Sequence, residues 1–230
     1  MKVLAFDTTG PILTVGIAQD GAALGRRDAC AQRAKGNLLD ELIDRALSEV
    51  GWSRTDVEGL ALVTGPGSLT ATRIGWATAA GWAQATAIPI AGWPTPVVHH
   101  RQWRVSGPQR AEESQTVFFL VHHRGDSFYC YRFSHDRPPG PPTAVTLGQW
   151  LPVGTPPFRM IGPGLLGYRQ RWLDAFGTQV ELASDEDAVV GGDTLAVWGE
   201  PELIAGRTLP VFESPLDYGL PPDFRRVNSH

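Results

Sequence analysis

A two-part α/β fold is what this sequence predicts, and three observations predict it. Short apolar runs joined by tight turns open the chain, at residues 3–7, 12–18 and 22–27. Helical apolar periodicity then alternates with buried strand-like runs as far as about residue 103. Beyond that the composition turns polar, with Gly, Pro and Glu around Val105 to Ser114, and a second, smaller set of α and β signals begins. The expected division is therefore an N-terminal subdomain, 1–105, and a smaller C-terminal one, 106–230, with a flexible tail.

Val3-Leu4-Ala5-Phe6-Asp7 reads as a buried strand, Thr8-Thr9-Gly10-Pro11 as a turn, and Asp20-Gly21 as a hairpin turn between the next two strands. A helix follows, with Asn37 as its N-cap, Asp40 and Glu41 in its first turn, and Gly51 as its stop. Leu38, Leu39, Leu42, Ile43, Ala46, Leu47 and Val50 form one face of it. A strand at 59–64, a helix at 69–85, a short strand at 88–91 and a helix at 95–103 come next. Strands at 116–121 and 128–133 pair around Arg124-Gly125-Asp126, and helices are expected at 166–176 and 194–205. The Pro-rich stretch from Pro210 reads as extended, and 225–230 as disordered. The order β-β-β-α-β-α-β-α is that of the ribonuclease H-like, actin-like class, called ASKHA, rather than a Rossmann order.

At 230 residues and 42% hydrophobic content the chain can bury a sizeable core. A net charge of −4 speaks against a strong RNA binder acting alone. No apolar run approaches the roughly 18 residues of a membrane span. Cys30 and Cys130 sit in unrelated contexts, so a reduced, cytoplasmic chain is expected.

The most unusual stretch is Gly65-Pro66-Gly67-Ser68, where a strand bends into a helix. A glycine-rich bend before a helix can hold phosphate. A Walker loop, however, needs a lysine next, and none occurs before Ala91; a dinucleotide fingerprint needs a third glycine where Thr70 stands. Two readings remain open: a corner that lets a neighbour pack closely, with Ser68 as helix cap, or a vestigial phosphate loop formed with Asp7 and Thr8. Asp7 is either an acid near phosphate or a turn former bonded to the following backbone. Ser68 lacks the Gly-x-Ser-x-Gly frame of a nucleophile. His99-His100 and His122-His123 are adjacent pairs that diverge on a helix or strand and chelate poorly alone. Arg101, Arg104 and Arg110 read as a solvated linker face. No catalytic residue, metal or cofactor is expected.

Ala71, Gly75, Ala79 and Ala83 recur every four residues, a smooth stripe on which another helix can lie. With Leu39, Leu42, Ile43 and Trp82 available beside it, the two helices read either as ordinary core or as a partner surface.

Gly65 to Gly75, GPGSLTATRIG, resembles the Gly-Pro-Gly-Ser-Phe-Thr-Gly-Leu-Arg-Ile-Gly signature of the TsaB (YeaZ) family. KVLAFDTT at the start is similar to that family's opening strand and turn, and the resemblance is dense over about residues 1–95. Leu69, Ala71 and Thr72 replace the family's Phe, Gly and Leu. Ala34-Lys35-Gly36-Asn37 stands where members carry a histidine-serine-glutamate-like stretch. Of the family's Asp-Ala-Arg turn and Glu-Val-Tyr, Arg124 and Tyr129 remain. The resemblance implies a non-catalytic member of the actin-like superfamily that binds TsaD, the catalytic subunit forming threonylcarbamoyladenosine in tRNA. It tips the helix reading to an interface of Leu39, Leu42, Ile43, Ala71, Gly75, Ala79 and Trp82. It further implies a TsaE-like ATPase partner, contact with tRNA only through the complex, and a homodimer when alone. The competing class is a small-molecule kinase or ATPase of the same fold.

Overall fold

Alternation in β1 (Lys2–Asp7) decides the layering: Leu4 and Phe6 point to one face of the sheet, Val3 and Ala5 to the other. The computed structural model describes residues 1–30, 35–106, 116–133, 139–154 and 156–217. β1 pairs antiparallel with β2 (Ile12–Gln19), which pairs with β3 (Ala22–Cys30), so the expected meander is present. On its other side β1 runs parallel to β4 (Gly59–Val63), and β4 to β5 (Ile90–Trp93). Helices α1 (Lys35–Glu49) and α2 (Leu69–Thr86) cover the Leu4/Phe6 face.

The opposite face is lined by Ala5, Ala18, Ala61 and Ala91, small residues that let a helix come close. That helix is α5 (Gly192–Ile204), from the far end of the chain. A Cβ at Gly16 would overlap the backbone of Gly192 and Asp193, and Gly192 N donates to Thr14 Oγ1 at 2.8 Å. Helix α3 (Thr95–Ser106) leaves β5 and reaches the second sheet, where His99 lies 4.8 Å from Phe119 and His100 5.0 Å from Phe133.

The second sheet has the order β10-β9-β6-β7-β8, with β6 (Val117–Arg124), β7 (Ser127–Phe133), β8 (Thr143–Thr146), β9 (Phe158–Ile161) and β10 (Val180–Leu182). Helix α4 (Arg169–Phe176) seals it with the fully buried Trp172. The strands of the first sheet end at Trp93 and those of the second begin at Val117, while α5, from beyond the second sheet, packs on the first.

Several expectations need correction. Helix α1 begins at Lys35, so Asn37 lies inside it and Asp40 and Glu41 fall beyond the first turn. Ser68 occupies the N-cap position of α2 without a side-chain cap bond. β5 starts at Ile90, where register with Leu60 places it, and Pro89 has no N–H to give a ladder. α4 starts at Arg169, because a 3₁₀ turn at Pro163–Leu165 and the left-handed Gly167 come first. Strands β8, β9 and β10 were not anticipated: each has three or four residues, too few for a periodic signal. Residues 210–217 form no helix or strand, and 225–230, like most of the linker at 107–115 with Arg110, lie outside the described residues.

Candidate functional site

The corner between β4 and α2 is closed by the chain's own groups. Ser68 N donates to Thr9 O at 2.8 Å, and a Cβ at Gly67 would overlap the same carbonyl. Asp7 Oδ1 accepts from Thr9 N at 2.7 Å, the turn-forming role, and is 5% exposed. Thr8 Oγ1 donates to Ala71 O at 2.7 Å. Gly65 has φ +104°, and a Cβ there would overlap Asp217 O. Thr95 N and Oγ1 donate to Gly65 O and Pro66 O, at 2.6 and 2.7 Å, which ties the corner to the start of α3. Asp7, Thr8, Gly65, Gly67 and Ser68 are thus brought together, with polar groups of Asp7, Thr8, Gly65 and Ser68 bonded to Thr9, Ala71 and Thr95.

In front of this corner lies a cleft of about 520 Å³. Thr9, Gly10, Gly67 and Ser68 line one wall, and His122, His123, Arg124 and Tyr168 the other. Tyr168 stacks on His122 with its hydroxyl 2.9 Å from Nε2, and donates to Gly125 O at 3.1 Å. Arg171 grips Asp126 through both carboxylate oxygens, at 2.6 and 2.7 Å, and holds that carboxyl below its usual range. Burial first, then the charges of Arg124 and His122, lowers the pKa of His123. The adjacent His122 and His123, poor chelators by themselves, therefore line the cleft beside Arg124. Tyr168 and the second Gly-Pro-Gly, Gly162-Pro163-Gly164, were missed, and the repeated tripeptide is the signal that could have found them.

His99 and His100 are buried between α3 and the second sheet, and burial pushes His99 down to about 3. Among the described residues no group of three or more His, Cys, Asp or Glu side chains could hold a metal ion, and no helix is long and apolar enough to cross a membrane. Cys30 and Cys130 are both free. Arg101 stacks on Trp198, 4.5 Å from the ring centre, rather than standing in a free basic face.

The expected interface residues divide sharply. Leu39, Leu42 and Ile43 are buried under α1, and Ala79 under α2, in the chain's own core. Ala71 and Gly75 press on the Thr8 turn that follows β1, so this end of the small-residue stripe is packed inside the chain itself. Trp82 alone of the seven reaches a surface groove, of about 440 Å³, with Ala77, Gly81 and Ala85 along its α2 wall and Asp40 and Arg54 opposite. Arg54 lies over the Trp82 ring at 5.4 Å and bonds Asp44 at 2.8 Å.

A family model described as TsaD, tRNA N6-adenosine threonylcarbamoyltransferase, matches residues 29–133. The chain is 32% identical over 111 residues to the tRNA threonylcarbamoyladenosine biosynthesis protein TsaB of Escherichia coli K12, covering 48% of each. In fold it is similar to YeaZ from Pseudomonas aeruginosa, with a TM-score of 0.69 and 19% identity over 94% of this chain and 99% of that one. The chain is thus similar to a TsaB protein in sequence over about half its length and to YeaZ in fold over nearly all of it. The chain spans about half the length of the curated relatives it matches, and the sequence match to the E. coli TsaB and to the TsaD model leaves much of the chain to the fold comparison alone. An activator of 2-hydroxyisocaproyl-CoA dehydratase from Clostridium difficile, solved with bound ADPNP, shares the fold at a TM-score of 0.53 and 9% identity, over 90% of this chain and 97% of that one. The TsaB/YeaZ likeness and the two mixed sheets together give the actin-like α/β class expected from the element order.

Proposed function

We propose that the chain serves the formation of threonylcarbamoyladenosine in tRNA as a non-catalytic subunit that binds and supports a TsaD-type transferase. The observation that carries this reading is the closed corner: Ser68 N is spent on Thr9 O and Gly67 packs directly against that carbonyl, in a loop whose sequence resembles that of the TsaB family. A phosphate there would have to displace that turn. A TsaE-type ATPase, tRNA reached only through the complex, a cytoplasmic setting and self-association in the absence of the partner complete the reading.

The partner surface is the outer side of α1 and α2, relocated from the buried stripe to Ala77, Gly81, Ala85 and Trp82. Small exposed residues at four-residue spacing admit a helix, and Gly81 has open space where a Cβ would stand. Gly81→Arg should leave the monomer folded and abolish co-purification with the TsaD-type protein of the same organism, whereas Ala79→Arg should unfold it. A folded Gly81→Arg chain that still binds at unchanged affinity refutes the placement. The second reading, a kinase or ATPase, is favoured by the cleft itself, whose wall opposite the corner carries Arg124. ATP turnover by the pure chain, abolished in Asp7→Ala, would replace the first reading with the second.

A further inference from the structure

The last described segment runs back over the first sheet and ends at the corner. Leu209 N donates to Ile90 O at 2.7 Å and Asp217 N to Thr64 O at 2.9 Å. Leu209 and Val211 lie against the α1/α2 core, and a Cβ at Gly92 would collide with Leu209 Cδ1. Asp217 O fills the space left by the missing side chain of Gly65. From the other side the same corner is bonded to Thr95, and α3 carries His99 and His100 onto Phe119 and Phe133 of the second sheet. The corner is therefore one place, besides the docking of α5, where the two halves are joined, and the tail presses on it.

We propose that residues 207–217 form a releasable strap that clamps the Gly65–Ser68 corner and holds the cleft between the two sheets at its present width. The segment has no helix or strand, and Phe212 is 85% exposed, so it opens at lower free energy than the sheets it crosses. The charge of Asp217 also reaches Tyr129 and Tyr131 on β7; after burial, it raises both phenols above their usual range. Release of the strap would free Thr64 O and Gly65 to move with α2 while β7 stays with the second sheet. The inference does not depend on the identity of the partner.

The test places spin labels at Ser68→Cys and Arg124→Cys, on opposite walls of the cleft, in a Cys30→Ser chain. Asp217→Pro is then added, which removes the N–H that Thr64 O accepts. The expected result is a shift of the label separation to longer distance, with the Leu209 amide exchanging at least about tenfold faster. An unchanged separation overturns the proposal. So does unchanged exchange at Leu209, because the segment would then not open as one strap. Should Asp217→Pro fail to fold, hydrogen exchange on the unaltered chain decides. Leu209 and Asp217 amides opening well before those of β1 support the strap, and protection equal to β1 refutes it.

Discussion

The two sheets are wired alike and filled differently. β1, β2 and β3 form an antiparallel meander, with β4 and β5 added in parallel beyond β1. β6, β7 and β8 repeat that meander, with β9 and β10 added beyond β6 in the same sense. The first half then spends fifteen residues on α1 and eighteen on α2. The second has no helix among the described residues between β8 and β9, and only the eight-residue α4 as an α-helix between β9 and β10. Its core is correspondingly aromatic: Phe118, Trp150, Phe158, Trp172 and Phe176 stack edge to face where the first half uses leucine and isoleucine. Large rings cover a sheet with few residues.

The comparison teaches what the Gly-Pro-Gly tripeptide is for. Gly65-Pro66-Gly67 follows β4, and Gly162-Pro163-Gly164 follows β9, the equivalent strand. At both places a Cβ would strike backbone, that of Thr9 at Gly67 and that of Leu120 at Gly164. The motif marks a position in the wiring where a neighbouring segment passes close, and a phosphate is not needed to account for it.

The severest break is at the joint between the halves. Gly16→Val would drive a branched side chain into the backbone of α5, which cannot give way as a flexible side chain could. A loss of about 3 kcal/mol or more is expected, read as a fall in the urea midpoint. A midpoint equal to that of the parent chain would mean that α5 docks loosely, and the halves are less coupled than described.

Next come the two corners. Gly67→Ala and Gly164→Ala should each cost about 1–3 kcal/mol, with similar losses, because each meets a carbonyl of its own half. If Gly67→Ala keeps its thermal midpoint and instead loses partner binding, the first corner is a functional site and the equivalence fails.

The smallest effect concerns His99, which α3 of the first half buries against the second sheet. Its imidazole stays neutral in the fold down to about pH 3, whereas the unfolded residue takes up a proton near 6.5. Between those values the unfolded state binds the extra proton, so stability falls as pH falls. Arg159 and Asp187 face the same small cavity, with Gln102 and Trp103 beside it. About 1 kcal/mol should be lost between pH 7 and roughly pH 5.5, and His99→Phe should remove that part of the dependence. Parallel pH profiles for the two proteins would show that His99 is not held neutral.

Much of the first half was legible from local signals. The Asp20-Gly21 turn, the α1 periodicity and the glycine corner are each written within a few consecutive residues, and their strands and helices stand close to the expected positions. The second half was legible only at β6, β7, α4 and α5. Its remaining strands are too short to carry a period and exist because β7, β6 and β9 offer a ladder to β8, β9 and β10 respectively. At the site, the sequence found the turn and the corner, yet not the opposing wall, since His122, Arg124 and Tyr168 are brought there by pairing across the sheet and by α4.

What the sequence determined by itself is therefore the element order of the first half, and with it the fold class, because apolar period and turn chemistry act over neighbouring residues. Which face of each helix is buried was decided by the tertiary structure. Composition offered Ala71, Gly75 and Ala79 equally to a partner helix and to the chain's own core. The core claims that face because the Thr8 turn leaves room only for a glycine at 75, and the side of α2 that carries Gly81 is left exposed.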